Sequence, residues 1–419
     1  MFRFLHAADL HLDSPLQGLE TYPDAPVEQI RAASRRALDN LVDLAISEDV
    51  NFLVIAGDLF DVDWKDYHTA LFFAQRMGRL GRAGIPVFVA SGNHDAASVI
   101  SRALRFPDNV SVFSHKKPET LFLEDLGVAL HGQGYAERQL RDNLAAGYPP
   151  AVPGLFNIGV LHTALTGRAG HDLYAPCSPS DLRAKGYHYW ALGHIHQREV
   201  ICEDPWIVFS GCLQGRHIKE AGSKGATLVT VDDGRTVEVE HRDLDVLRWA
   251  SCPVTIDGLR NQGELLDALV QTLTAAKSHA DGRPLAVRIT LAGTCLWHNQ
   301  LQERRDALFE EAGAIAAGLG DIWLERVVFD LHPQETACTQ QSSDSPVLEL
   351  IESLADRELH MEELLLELPE LEELKSKLPP AVFSGEDPFD PTDPGMLESK
   401  KPEIRDLLMS RLLRHEEGT

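Results

Sequence analysis

Apolar runs of strand length alternate with helical stripes along the first part of the chain. The runs Phe2–Ala7, Val50–Ala56 and Ile85–Val89 are almost continuously apolar, which is typical of strands buried on both faces. Between them, apolar residues recur near the helical period from about Pro26 to Glu48 and from Tyr67 to Gly81. The order strand, helix, strand, helix, strand predicts a parallel α/β sheet.

After Val110 the pattern changes to short alternating strands, which predicts a second sheet. Its strand-like runs are Thr120–Leu123, Val128–Gly132, Phe156–Leu161, Tyr187–Leu192 and Trp206–Gly211. A ribbon from Ala226 to Glu240, turning at Asp232-Asp233-Gly234, completes a first domain that we end at residue 250.

Two further regions follow this domain. Residues 251–335 combine a strand, a helix over Glu264–Lys277, an alternating strand, a helix from Gln300 to Ala317 and a strand from Ile322, which predicts a small α+β domain. Residues 336–419 hold a polar linker, a helix starting at Ser345-Pro346, a Pro- and Asp-rich stretch and a last helix starting at Lys401-Pro402. We expect these helices to dock on a partner.

Composition narrows the class of protein. The chain has 419 residues, of which 44% are hydrophobic, and this is enough for large soluble globular domains. The six cysteines are scattered, which argues against a disulfide framework or a thiolate zinc site and favours a reducing compartment. No apolar run reaches the roughly 18 residues of a membrane span, and Asp9 interrupts any signal-peptide core, so a cytoplasmic location is expected.

The formal net charge of -25 argues against a general nucleic-acid coat protein. About half of this excess lies between Gln341 and Thr419, so a local basic patch on the rest of the chain stays open.

Side chains suited to hard metal ions stand where strand-like runs end. They are Asp9, His11, Asp58, Asn93, His162, His194 and His196. All offer oxygen or nitrogen, which suits manganese, magnesium, iron or zinc. Seven donors are too many for one ion, whereas two ions roughly 4 Å apart could share a bridging carboxylate. Asp58 is our candidate for the bridge.

Such a site predicts hydrolysis of a phosphate ester. Two divalent cations would bind the phosphate and acidify a water molecule, and the departing alkoxide then needs a proton. His94 can supply it, since it follows ligand Asn93 in a stretch that we expect to be a loop after the third strand. Asp61 is the candidate to orient His94 and keep it protonated.

The order Asp-x-His, Gly-Asp, Gly-Asn-His-Asp, His, Gly-His-x-His resembles the calcineurin-like metallophosphoesterase superfamily, and within it the SbcD-type DNA repair exonucleases. The opening Phe4–Pro15 and the segment Gln214–Glu220 look like those of the YhaO-like branch. The motifs cover about residues 1 to 240.

This resemblance implies a fold, a cofactor and a partner. The fold would be a two-sheet αββα sandwich with a capping α+β domain and a helical C-terminal tail. One metal would lie among Asp9, His11, Asp58 and His196, and the other among Asp58, Asn93, His162 and His194. The usual metal of the family is manganese, and His94 would be the catalytic acid. The implied partner is an SbcC-like coiled-coil ABC-type ATPase, docked by helices after the cap.

Three functions remain open from the sequence. The first is a DNA exonuclease or endonuclease subunit in double-strand break repair. The second is a phosphodiesterase for nucleotides or other small phosphate esters, which the negative charge favours. The third is a scaffold subunit whose metal site is vestigial. A homodimer is left open as well.

Overall fold

The computed structural model describes residues 1–14, 32–61, 67–97, 105–165, 174–295, 297–333, 368–378, 383, 389–398 and 404. The chain divides into two compact units, the first formed by residues 1–254, 266–291 and 310–329, and the second by 255–265, 292–309 and 330–419. The domain boundaries expected at residues 250 and 335 stay a prediction.

A six-stranded sheet in the first unit carries the three apolar runs that open the sequence. Numbered in chain order, its strands are β1 (Phe2–Ala7), β2 (Phe52–Ala56), β3 (Val87–Ala90), β4 (Val110–Val112), β11 (Gly225–Asp232) and β12 (Arg235–Asp243). Their order across the sheet is β12-β11-β1-β2-β3-β4, with β1 to β4 parallel and the ribbon β11–β12 antiparallel.

One expectation about this sheet was wrong. Val110 was expected to begin the second sheet, but β4 pairs in parallel with β3, with Val87 opposite Val110. A strand of three residues has too short a hydrophobic pattern to be assigned to either sheet from the sequence. Its pairing partner is decided by backbone hydrogen bonds, such as the one from Val87 N to Asn109 O, which is 2.8 Å long.

The second six-stranded sheet has the order β5-β6-β7-β8-β10-β9. Its strands are β5 (Glu119–Leu123), β6 (Val128–Gly132), β7 (Phe156–His162), β8 (Tyr189–Gly193), β9 (Glu199–Glu203) and β10 (Trp206–Phe209). Strands β6, β7, β8 and β10 run parallel to one another.

The core between the two sheets follows from alternation along buried strands. In β2, Phe52 and Val54 join a cluster with Ile158 and Val160 of the second sheet, whereas Leu53 faces the helices. A third cluster covers the outer face of the second sheet. The predicted αββα sandwich is therefore confirmed.

Helices cover the outer faces of both sheets. Helices α1 (Ala33–Ser47) and α2 (Tyr67–Arg82) pack on the first sheet. The short helices α3 (Asn93–Ala97), α4 (Leu144–Gly147) and α5 (Pro179–Arg183) follow strands or loops. The first residues predicted for α1, before Ala32, lie outside the described residues.

A three-stranded sheet in the order β13-β14-β15 follows the sandwich in sequence. Its elements are β13 (Arg248–Thr255), α6 (Gln262–Ser278), β14 (Leu285–Cys295), α7 (His298–Glu303), α8 (Arg305–Leu319) and β15 (Ile322–Pro333). The single helix predicted from Gln300 is in fact α7 and α8, which are separated at Arg304.

In the C-terminal region, α9 (Pro369–Lys377) is described, and Lys375 Nζ lies 2.8 Å from Asp390 Oδ2. The helix expected at Ser345-Pro346 and the start of the last helix at Lys401-Pro402 lie outside the described residues. No helix in the described parts of the chain is long and apolar enough to cross a membrane.

Candidate metal centre

The carboxyl ends of the parallel strands bring the predicted donors together. Asp9 follows β1, Asp58 follows β2 and His194 follows β8. Backbone hydrogen bonds join these segments directly: Asp9 N donates to Gly57 O at 2.9 Å, and His194 N donates to Asp9 Oδ1 at 3.0 Å. Topology therefore collects residues that are up to about half the chain apart in sequence.

Four predicted ligands have a left-handed backbone. Asp9, His11, Asp58 and His194 have φ values of 51°, 40°, 54° and 102°. Such conformations are uncommon for residues with a side chain and persist only where the surroundings hold them. This cluster of strain marks the same strand ends that the motifs single out.

Three histidines have their Nδ1 atoms held by oxygen acceptors. His162 Nδ1 lies 2.9 Å from Ala56 O, and His11 Nδ1 lies 2.7 Å from Asp61 Oδ1. His196 Nδ1 lies 2.5 Å from Glu220 Oε1. Because a carbonyl or carboxylate oxygen accepts, each ring in its neutral form carries its proton on Nδ1 and has its lone pair on Nε2.

The Nε2 atoms of these histidines face one another or a carboxylate. His11 Nε2 is 3.2 Å from His196 Nε2, and His162 Nε2 is 3.4 Å from Asp58 Oδ2. Asn93 Oδ1 lies 2.9 Å from His162 Nε2. Lone pairs that converge in this way are the arrangement that a shared cation requires.

Three sets of ligand atoms lie within 4.8 Å of one another among the described residues. They are Asp9 with His11 and His196, Asp9 with Asp58 and His162, and His11 with Asp61 and His94. The first two sets reproduce most of the predicted ligands. His194 is in none of them, and its ring centroid lies 5.2 Å from that of His162.

The charges of the site suit divalent cations. Burial raises the pKa of Asp9, so its carboxylate is poorly solvated. Burial also opposes ionisation of Asp58, but His162 and His11 outweigh it and lower the pKa of Asp58. Burial lowers the pKa of His162, and the carboxylates of Asp58 and Asp9 more than reverse this and raise it to about 9. The donors, all oxygen and nitrogen, fit hard or borderline cations.

His94 lies at the edge of this cluster. Its side chain is 29% exposed, and its Nδ1 is 3.1 Å from Asp61 Oδ1, without the alignment of a good hydrogen bond. Burial lowers the pKa of His94, but Asp61 and Asp58 outweigh it and raise the pKa. The stretch expected to be a loop begins helix α3 at Asn93, and His94 N donates to Asp58 Oδ1 at 3.0 Å.

Asp61 has a second contact that the sequence did not indicate. Its Oδ1 is closer to His11 than to His94, at 2.7 Å against 3.1 Å. The carboxylate therefore faces both a predicted ligand and the predicted acid.

Sequence reasoning assigned no role to Asp95, Arg216 or Glu220. Asp95 Oδ1 accepts from Leu59 N at 2.9 Å and Asp95 Oδ2 accepts from Gly92 N at 3.0 Å, which joins the Asp58 and Asn93 segments. Burial, with Asp58, raises the pKa of Asp95 to about 7. All three residues stand inside quoted motifs, but a motif does not show which side chains touch.

His6, in β1, has a structural role. It is fully buried, with Nδ1 3.1 Å from Tyr189 Oη and Nε2 3.1 Å from Leu192 O. Burial lowers the pKa of His6 to about 3. The ring is neutral at ordinary pH and joins the two sheets.

Comparisons with known proteins place the chain in a family. Residues 2–198 match the family model for calcineurin-like phosphoesterases. Metallophosphoesterase YhaO of Bacillus subtilis strain 168 is 38% identical over 295 residues, which cover 70% of this chain and 72% of the relative. The chain belongs to the calcineurin-like metallophosphoesterase family. Residues 249–332 also match the model for the middle domain of metallophosphoesterase YhaO.

Solved structures of low sequence identity are also similar to this metallophosphoesterase. A Thermus thermophilus protein has a TM-score of 0.36 and 15% identity, covering 58% of this chain and 99% of its own. A dimetal phosphatase from Danio rerio has a TM-score of 0.35 and 12% identity, covering 55% of this chain and 93% of its own.

Membership of the family has two consequences for the site. The family uses a dinuclear metal centre, and the chain carries candidate ligands for one at its strand ends. The chain is a phosphoester hydrolase by family. The role of each side chain at the site stays a prediction.

Proposed function

We propose that this metallophosphoesterase is a manganese-dependent nuclease subunit that hydrolyses phosphodiester bonds in DNA. The observation that carries the hydrolytic part is the convergence of three imidazole Nε2 atoms and two buried carboxylates, with each Nδ1 held by an oxygen. Nitrogen and carboxylate donors together suit manganese.

Two bound divalent cations would supply positive charge for the phosphate and lower the pKa of water toward neutrality. The chain supplies the remaining groups. Asp9, Asp58 and the three histidines would hold the cations, while buried backbone hydrogen bonds fix the loops that carry them.

His94 is the group that we assign to the leaving oxygen. Burial lowers the pKa of His94, but Asp61 and Asp58 raise it more, and the net rise favours the protonated imidazole that a general acid needs. The Asp61 carboxylate lies 3.1 Å from Nδ1 and stabilises a positive charge on the ring, so the partly exposed ring can present Nε2 to substrate. We expect general-acid catalysis of this kind to contribute about 100- to 10,000-fold in rate.

The choice of DNA rests on the motifs of the sequence. The order of the metal-binding motifs resembles that of the SbcD-type DNA repair exonucleases, and the opening Phe4–Pro15 and the segment Gln214–Glu220 resemble those of the YhaO-like branch. By the same resemblance we propose an SbcC-like coiled-coil ATPase as partner, bound by the C-terminal helices, and a cytoplasmic role in double-strand break repair.

A second candidate is a phosphodiesterase for nucleotides or other small phosphate esters. The net charge of -25 favours it, because a strongly acidic protein repels polyanionic DNA at long range.

Incubation of the purified protein with Mn²⁺ tests both candidates. End-labelled duplex DNA and bis(p-nitrophenyl) phosphate are offered in parallel reactions, with Asp58→Asn as the control for contaminating nucleases. Degradation of DNA that Asp58→Asn lacks supports the nuclease. Turnover of the small diester without any cleavage of DNA, with or without a coiled-coil ATPase, would support the second candidate instead.

A further inference from the structure

The segment Gln214–Glu220 lies beside the metal centre, and the proposed hydrolysis assigns no task to it. It follows β10 and ends in a short 3₁₀ helix, Ile218–Glu220. The side chains of Arg216 and Glu220 are 16% and 5% exposed. An ion pair this deeply buried costs desolvation, so it needs good geometry on both sides.

Glu220 has several donors around its carboxylate. Arg216 N donates to Oε2 at 2.7 Å, and Arg216 Nη2 donates to Oε1 at 3.1 Å. His196 Nδ1 lies 2.5 Å from the same Oε1, and His217 Nε2 lies 3.3 Å from it. The carboxylate is therefore fixed in position and ionised, as the acceptor of the His196 proton.

Arg216 also faces a second carboxylate across the site. Its Nη1 lies 3.7 Å from Asp61 Oδ2, and Asp61 Oδ1 lies 2.7 Å from His11 Nδ1. One guanidinium thus lies between the two carboxylates that orient His11 and His196. Those are the histidines whose Nε2 atoms are 3.2 Å apart.

We propose that Arg216 and Glu220 are positioning residues that hold His196 and His11 in the tautomer and spacing needed by one of the two metal ions. The inference rests on one part of the proposed function, namely that this site binds metal ions. Removal of a carboxylate that accepts a hydrogen bond from a metal-binding histidine commonly weakens metal affinity by about 10- to 100-fold. The planar guanidinium suits this task because its separate nitrogens can reach two carboxylates, which a single ammonium cannot.

Two substitutions test this without large changes of volume. Glu220→Gln keeps the shape of the side chain and removes its negative charge. Arg216→Lys keeps the positive charge and replaces the planar guanidinium, with its separate nitrogens, by a single ammonium. Glu240→Gln, on the solvent-exposed side of β12, is the matched control for a lost carboxylate, since Glu240 is 40% exposed and pairs with Arg242. Near-ultraviolet circular dichroism of each metal-free variant first shows that it is folded.

Calorimetric titration of the full chain with Mn²⁺ alone counts the ions and measures both affinities. We expect Glu220→Gln and Arg216→Lys to weaken one ion by about 10- to 100-fold, with the other within about twofold of the wild type. Nitrogen-15 NMR of the metal-free protein should show that His196 loses its preference for the Nδ1 proton in Glu220→Gln. Glu240→Gln should match the wild type in both measurements.

The outcomes separate this inference from the proposed function. Two ions bound by the wild type with unchanged affinities in folded Glu220→Gln and Arg216→Lys would overturn the positioning role and leave the metal site intact. Equal weakening of both ions would overturn it as well, because His196 and His11 are the predicted ligands that these contacts orient, and both belong to the same predicted ion. A wild-type chain that binds no Mn²⁺ would refute the proposed function and the inference with it.

Discussion

A methyl group at Gly92 should displace the carboxylate that we place between the two ions. A Cβ atom built on Gly92 would lie 2.2 Å from Asp58 Oδ1 and 2.8 Å from Asp58 N. Gly92 does not have a left-handed backbone, so Gly92→Ala introduces a steric change without added backbone strain. The substitution therefore isolates the position of Asp58.

The size of the effect follows from these distances. Relief of the contact requires Asp58 Oδ1 to move by about 1 Å, since ordinary carbon–oxygen contacts are longer than about 3 Å. This breaks the 3.0 Å hydrogen bond from His94 N to Asp58 Oδ1. A misplacement of about 1 Å costs roughly 100-fold in catalysis, and overpacking costs about 1–3 kcal/mol in the free energy of unfolding.

The assay measures kcat/KM for bis(p-nitrophenyl) phosphate with Mn²⁺, together with the unfolding free energy in urea. Gly78→Ala in α2 is the matched control, because its nearest atom to a new Cβ is Arg82 Nη1 at 4.0 Å. We expect Gly78→Ala to be fully active and slightly stabilised, by about 0.5–1 kcal/mol. A Gly92→Ala enzyme with wild-type kcat/KM and wild-type Mn²⁺ affinity would refute the placement of Asp58 at the centre.

Four further outcomes are expected. His94→Ala should keep both Mn²⁺ ions in a calorimetric titration but lose about 100-fold or more in kcat, and loss of an ion would make His94 a ligand instead. Mn²⁺ at 100 times its dissociation constant should raise the unfolding free energy by about 2.7 kcal/mol for each ion bound, relative to EDTA-treated protein, whereas identical melting curves would exclude binding. Burial lowers the pKa of His6 from 6.5 to about 3 on folding, so the contribution of His6 to stability is constant above pH 6.5 and is lost as the pH falls below it. The unfolding free energy of His6→Gln should therefore fall by about 2 kcal/mol less than that of the wild type between pH 8 and 5 in urea titrations. Parallel pH profiles of the two proteins would contradict this. Asp245→Ala should lower stability by about 3 kcal/mol, because it strips a buried partner at 3.0 Å from both Arg248 and Arg283, and an unchanged urea midpoint would be the contrary result.

The sandwich could be predicted from the sequence because the central strands of both sheets are buried on two faces. Phe52–Ala56 is entirely buried, so its apolar run has no polar interruption, and the same holds for Tyr189–Gly193. Short or partly exposed strands were harder to assign from the sequence. Val110–Val112 is half-buried and only three residues long, so its sheet was decided by pairing with β3 and not by its own pattern.

The candidate ligands could be found from the sequence because each follows a strand whose direction is fixed by parallel pairing. Asp9 and Asp58 follow neighbouring parallel strands of the first sheet and therefore meet, whereas His162, which ends β7 of the second sheet, joins them because the two sheets pack together. The sequence also indicated His94 beside Asn93, and the structure adds that this pair begins a helix.

The tertiary structure decided which side chains touch. Asp61 faces His11 as well as His94, Asp95 joins two loops, and Glu220 holds His196, although Glu220 is 24 residues away from it. Hydrogen bonds of this kind depend on distances of a few tenths of an ångström between segments remote in sequence. Residue types and spacing therefore predicted the chemistry of the centre, while the orientation of its histidines came only from packing.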